Sequence, residues 1–184
     1  MKTTLVCNSK GGVGKSLVAD ELAFSFERTN TPMNFFDLDH QGGTLHATQR
    51  CPDAVVSVVD TPGALTQQLS GWIRNANVVV IPVRPTSRDI EPFQRMQQAV
   101  ASSARKGTRV AYILNGWNRF RAASDFHEFL SAQGYAGKIV LLPQSEMFVQ
   151  AGAAGRSVID YAPHSPAARA TENMCNVIRG LAGV

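Results

Sequence analysis

Eight consecutive residues, Ser9-Lys10-Gly11-Gly12-Val13-Gly14-Lys15-Ser16, carry the densest chemistry in the chain. Glycines at this spacing let a backbone curl until its N–H groups converge on phosphate oxygens. Lys15 is placed to reach the terminal phosphates of a nucleotide and the Ser16 hydroxyl to ligate Mg²⁺. Such a loop needs a metal-binding aspartate at the end of a later buried strand. Two acidic segments qualify: Asp60 in Asp60-Thr61-Pro62-Gly63, and the pair Asp37 and Asp39 in Asp37-Leu38-Asp39-His40-Gln41-Gly42. Brought to the loop side of a sheet, these carboxylates would meet the metal ion and the attacking water.

Those residues need a scaffold that puts strand ends and a helix start together. Short apolar runs at 3–8, 33–38, 54–59, 78–83, 109–115 and 138–142 predict six strands. Between them, apolar residues recur at helical spacing: Leu65, Leu69, Trp72 and Ile73; Ile90, Phe93, Met96 and Val100; Phe126, Phe129 and Leu130; and Met174, Val177, Ile178 and Leu181. Ser165 followed by Pro166 reads as the start of the last helix. Strands alternating with helices predict an α/β fold, a mostly parallel twisted sheet flanked by helices on both faces. The 184 residues fit a single domain, 1–184, and 44% hydrophobic with 17% charged residues is a globular composition. The three cysteines are widely spaced with no CxxC, which argues against a disulfide framework, a zinc site or a cysteine-bound cluster. No apolar run approaches the roughly 20 residues that span a bilayer, and the N-terminus lacks a signal-peptide core. A cytoplasmic protein is expected.

The loop departs from the strict GxxxxGK[ST] pattern, because Ser9 stands where the first glycine belongs and a second lysine, Lys10, follows it. KGGVGKS resembles the deviant Walker A motif of the ParA/MinD family of P-loop ATPases, and the resemblance extends along most of the chain. It implies ATP contacts from Lys10, Gly11, Gly12, Val13, Gly14, Lys15, Ser16 and Leu17. It also implies that Lys10 reaches across a nucleotide-sandwich homodimer to the partner's phosphates. DLDHQGG resembles the family's DxDxQG segment, which assigns Asp39 to the attacking water and Asp37 to the neighbourhood of the metal; His40 stands where the family often has proline. Asp60 matches the Walker B aspartate, so the implied Mg²⁺ set is Ser16, Asp37 and Asp60, with Lys10, Lys15 and Asp39 as the catalytic groups. Ile81-Pro82-Val83-Arg84-Pro85, with Asp89 beyond, resembles the family's PVxPS…D segment. The DTPG tetrapeptide also fits a GTPase switch, but the strand ending Asn115-Gly116-Trp117-Asn118 lacks the lysine and aspartate of NKxD. Asn115 instead matches the asparagine that ParA-like proteins place against adenine. Leu142, Pro143 and residues 148–161 resemble the adenine-flanking region, with Ser145 where relatives commonly carry arginine. ATP with Mg²⁺ is the expected pair.

Net charge is +4 and unevenly placed: Arg95, Arg105, Lys106, Arg109, Arg119 and Arg121 fall in a stretch free of acidic residues between Glu91 and Asp125. Clustered cations suit DNA, since binding releases phosphate counterions. Arg105, Lys106, Arg119 and Arg121, with Lys138, Arg156 and Arg169, are the candidate DNA contacts. The sequence opens at the first strand, so the helix-turn-helix extension of larger ParA proteins is not expected. The resemblance is to small plasmid-partition ATPases. It implies weak, partner- and DNA-stimulated hydrolysis, a nucleoid-associated dimer, non-specific DNA binding and a separate centromere-binding adaptor. A related role in conjugative transfer or polar positioning shares this chemistry. A membrane role like that of MinD needs a basic amphipathic C-terminus, and 174–184 offers one arginine, so no membrane partner is expected. A metabolic ligase on the same fold would not need Lys10 together with DxDxQG, and a cluster-bearing reductase would need paired cysteines.

Overall fold

The computed structural model describes residues 1–63, 68–135 and 138–184. Its strands are β1 (Lys2–Val6), β2 (Met33–Asp37), β3 (Val56–Asp60), β4 (Val78–Val83), β5 (Arg109–Trp117) and β6 (Ile139–Pro143). All pair in parallel, in the order β2-β3-β1-β4-β5-β6. The six expected strands are present, with ends displaced by one or two residues. From β1 the chain first winds toward β2 and then returns to build outward from β4, so its direction reverses between β1 and β4. The crevice beyond the carboxyl ends of strands at such a reversal is where open α/β sheets bind ligands.

Seven α-helices accompany the sheet among the described residues: α1 (Lys15–Arg28), α2 (Leu69–Asn75), α3 (Ile90–Ser103), α4 (Arg121–Leu130), α5 (Glu146–Ala153), α6 (Val158–Tyr161) and α7 (Pro166–Ala182). Successive strand residues point to opposite faces, and both faces are buried. On one side Val6, Val58, Val80 and Ile113 pack against Val18, Leu22 and Phe26 of α1 and Met174 and Ile178 of α7. On the other, Leu5, Val59, Val79, Ile81 and Leu114 pack against Ile73 of α2, Phe93 and Met96 of α3, and Phe126 and Leu130 of α4. The helical stripes read from the sequence thus serve as core; Leu65 lies outside the described residues. The α7 start is as expected, with the Ser165 hydroxyl accepting from the Ala168 N–H at 3.0 Å and Pro166 in the first turn. The edge strand β2 is covered by its own loop, since Phe35 and Gln49 exchange backbone hydrogen bonds of 3.0 and 2.9 Å.

Candidate functional site

The phosphate loop begins where β1 stops. Asn8, two residues beyond β1, holds the turn: its Nδ2 donates to the Pro82 carbonyl at 2.7 Å and its Oδ1 accepts from the Lys10 N–H at 3.0 Å. The loop then closes on the start of α1 through Gly14, whose φ of 96° disfavours any residue with a Cβ. A Cβ there would also lie 2.1 Å from Asn115 Nδ2. Asn115 is aimed at the loop by a break in the β5–β6 register at Gly116, φ 80°, and its Nδ2 donates to the Val13 carbonyl at 2.9 Å. Among the described residues no side chain caps the N-terminus of α1, and no acidic residue occupies its first turn. That end is left free for an anion.

Lys15, Ser16 and Asp60 meet beside this helix start. Lys15 is 6% exposed, and its Nζ donates to the Lys10 carbonyl at 3.3 Å. Burial lowers its pKa, opposed by the charges of Asp60 and Asp39. Among the described residues no carboxylate forms an ion pair with it, so a bound anion would relieve a buried, unpaired cation. Asp60 ends β3 fully buried; one oxygen accepts from the Ser16 hydroxyl at 2.7 Å, the other from the Thr61 N–H at 3.0 Å. Burial pushes its carboxyl up to about 6, against the Ser16 hydrogen bond and the Lys15 charge. A hydroxyl and a buried carboxylate in contact fit the protein's share of an octahedral Mg²⁺ site completed by phosphate oxygens and water. Lys15 and Ser16 border a cleft of about 560 Å³ with Gly11, Gly12, Asp39, Gln41, Pro62 and Gly63 around it, and Asp60 lies behind Ser16.

Asp37 and Asp39 lie on the loop that follows β2, one at the strand end and one on the cleft wall. Both Asp37 oxygens are engaged within their own loop, one by the Asp39 N–H at 2.9 Å and the other by the Thr44 hydroxyl at 2.8 Å. These bonds make Asp37 part of the loop's own turn; its oxygens, like those of Asp60, accept one hydrogen bond each and keep lone pairs for a metal ion. Asp39 lines the cleft, its Oδ1 accepting from the Gln41 N–H at 3.1 Å. His46 anchors the same loop to α1, a role no sequence motif signals. Asp20 accepts from the Leu45 and His46 N–H groups at 2.8 and 3.0 Å and pairs with His46 Nδ1 at 2.7 Å; Glu27 lies 3.4 Å from Nε2.

Burial alone would lower the His46 pKa, but the hydrogen bond and charge of Asp20 and the charge of Glu27 outweigh it and raise it. A raised folded-state value means the imidazolium contributes stability fully below about 6.5, the ordinary histidine value, and loses it as pH rises through the folded value. His46→Gln should therefore lower the melting temperature most at pH 5.5 and least at pH 9. A gap that is constant across this range would contradict the pairing.

Lys10 is half-buried beside Gly11 of the cleft wall, its side chain 37% exposed, and its Nζ forms a 2.8 Å ion pair with Asp89, which is 1% exposed. Thr86 holds the other Asp89 oxygen. A second cleft of about 400 Å³ adjoins the first across Gly14 and Leu17 and is bordered by Asn115, Pro143, Ser145 and Phe148. Leu142 does not reach it: its side chain is fully buried in the sheet core, leaving Pro143 as the contact at this strand end. Ser145 caps α5 by accepting from the Met147 N–H at 3.2 Å.

The cationic residues do not form one face. Arg105 and Lys106 precede β5 and Lys138 precedes β6, at the amino edge of the sheet. Arg119 and Arg121 follow β5, at the carboxyl edge beside the clefts. Arg156 and Arg169 are exposed and donate to the nearby Asp160 and His164 carbonyls at 2.7 and 2.8 Å. Among the described residues no helix is long and apolar enough to cross a membrane, and α7 buries its apolar side on the core. Cys7 and Cys175 are buried in the two core layers, with thiols pushed up by burial to about 12.

Neither protein-family models nor curated proteins match the sequence. Solved structures do. An ATP complex of a variant of McdA from Cyanothece superposes with a TM-score of 0.76, covering 100% of this chain and 97% of its own at 15% identity. MinD from Pyrococcus horikoshii, complexed with Mg-ADP, gives 0.74 over 99% and 97% at 13% identity. A plasmid partition protein from Borrelia burgdorferi gives 0.70 over 96% of each chain at 13% identity. The chain has the ParA/MinD-type ATPase fold. At such low identity the likeness shows architecture, and within this ParA/MinD-type fold the roles of individual residues stand on the geometry described above.

Proposed function

We propose that the chain is a Mg²⁺-dependent ATPase that pairs face to face with a second copy around two nucleotides. In that state it holds DNA of any sequence and positions or partitions a DNA-linked cargo with an adaptor protein. The observation that carries the nucleotide part is the buried, unpaired Lys15 beside the Ser16–Asp60 contact at an uncapped helix start. Ser16 and Asp60 would hold Mg²⁺, which supplies neutralisation of charge on the β- and γ-phosphate oxygens. Lys15 and the loop N–H groups grip the same phosphates, and Asp39, on the cleft wall, orients the attacking water. Lys10, half-buried beside the cleft wall, is the group able to leave its own loop for a partner's site. The partition and cell-division roles named for the similar structures support cargo positioning.

The DNA step is tested by retention of random duplex across a salt series, with and without a slowly hydrolysed ATP analogue. Binding should require the analogue and fall steeply with salt. Replacing Arg119 and Arg121 together should flatten the slope by about 1 for each phosphate that these arginines neutralise. Equal retention without nucleotide, or none with it, would contradict the proposal.

A further inference from the structure

Arg84 has no part in the chemistry above, yet it occupies the junction of the two clefts. It follows β4, the strand between the phosphate-loop strand β1 and the Asn115 strand β5. Its Nε donates to the Gly12 carbonyl at 3.3 Å, so the side chain is tied to the phosphate loop. Its guanidinium lies over Gly116: a Cβ on that residue would stand 3.4 Å from Nη1 and 4.0 Å from Cζ. The guanidinium thus lies in van der Waals range of the Gly116 position, whose φ of 80° favours glycine. Among the described residues no carboxylate forms an ion pair with Arg84, although Glu146 borders the same cleft.

The wall this makes has a definite chemistry. A guanidinium is planar, weakly hydrated and always charged, and it stacks on flat π-systems as well as donating hydrogen bonds. One of its donors is spent on Gly12. The remaining cleft surface includes the apolar Pro143, Phe148 and Val149. Asn115, Gln144, Ser145 and Glu146 supply polar groups at its edge, so a flat, electron-rich ring with polar edges suits the slot, whereas a second phosphate group would meet the apolar side and the Glu146 carboxylate. The slot opens from the phosphate cleft across Gly14 and Leu17, the path a nucleotide takes from phosphates to base.

Resting on the phosphate-loop reading above, we propose that Arg84 is a base-recognition residue whose guanidinium stacks on the purine ring of the bound nucleotide. Its bond to Gly12 couples base occupancy to the loop that holds the phosphates.

Calorimetry with ATP and with inorganic tripolyphosphate, each with Mg²⁺, separates the possibilities. The tripolyphosphate reports the phosphate cradle alone. Arg84→Ala should weaken ATP about tenfold, the scale of a partly desolvated cation–π contact, and leave tripolyphosphate within about twofold. Arg84→Lys, which keeps the charge but loses the plane, should weaken ATP nearly as much. Because Arg84 is exposed, both variants should keep the wild-type melting temperature. Unchanged ATP affinity, equal losses for ATP and tripolyphosphate, or full rescue by lysine would each overturn the stacking role. Failure of the wild type to bind either ligand would instead overturn the phosphate-loop reading itself.

Discussion

Lys15→Ala should bind MgATP at least about 100-fold more weakly than the wild type, while folding as well or better. The ammonium is the buried counter-charge of the phosphate cleft, and each charge-assisted bond it makes to a phosphate oxygen contributes roughly 1.5–3 kcal/mol, so losing two removes two or more orders of magnitude. The folded apo protein gains little from this lysine. Burial lowers its pKa against the charges of Asp60 and Asp39, and among the described residues its Nζ donates to the Lys10 carbonyl alone, so alanine removes a buried charge without an ion-pair partner. Calorimetry and a melting curve on the same preparation check both halves. ATP affinity within tenfold of wild type would show that the lysine does not face the phosphates. A large fall in melting temperature would show a structural role instead.

Lys10→Ala should separate binding from pairing. In the single chain the Lys10 ammonium is held by Asp89, so it neutralises a carboxylate of its own subunit. Two triphosphates brought face to face repel, and counter-charge from across the interface offsets that repulsion, much as an arginine finger does when supplied in trans. To serve there, Lys10 must leave Asp89, whose other oxygen keeps its bond from Thr86. The alanine variant should bind ATP within about threefold of wild type, because Lys15 and the loop N–H groups remain. Its nucleotide-dependent self-association should weaken by about 100-fold or more, the scale of two charge-assisted bonds removed with one lysine. The stranded Asp89 carboxylate should also lower stability by about 1–3 kcal/mol. Asp89→Asn, which loosens the lysine instead of deleting it, should favour association, and this opposite sign distinguishes a trans lysine from a local one.

The fold was legible because its signals are periodic. Apolar runs such as Val78–Val83 and stripes such as Phe93–Met96 are long enough to declare strand and helix. The phosphate loop was legible because glycines, a lysine and a hydroxyl at fixed spacing have few other uses. What escaped the sequence depends on side chains meeting across the fold. Nothing local tells that Asp20 pins the loop through His46, 26 residues away, or that Asp89 holds Lys10 across 79. Asp37 and Asp39 share a motif, and nothing local tells that the Asp39 N–H and the Thr44 hydroxyl both bond the Asp37 carboxylate. Leu142 and Pro143 are adjacent and face opposite surroundings because successive strand residues alternate. The linear run of arginines does not by itself define a face, since a parallel sheet sends the residues before and after β5 to opposite edges.

Sedimentation velocity of the wild-type chain with Mg²⁺ and either no nucleotide, ADP or a slowly hydrolysed ATP analogue tests the central claim most directly. Closure of two copies around two triphosphates predicts a monomer without nucleotide and with ADP, and a dimer with the triphosphate analogue that disappears in Lys10→Ala. A monomer under all three conditions, or a dimer indifferent to the nucleotide, would contradict it.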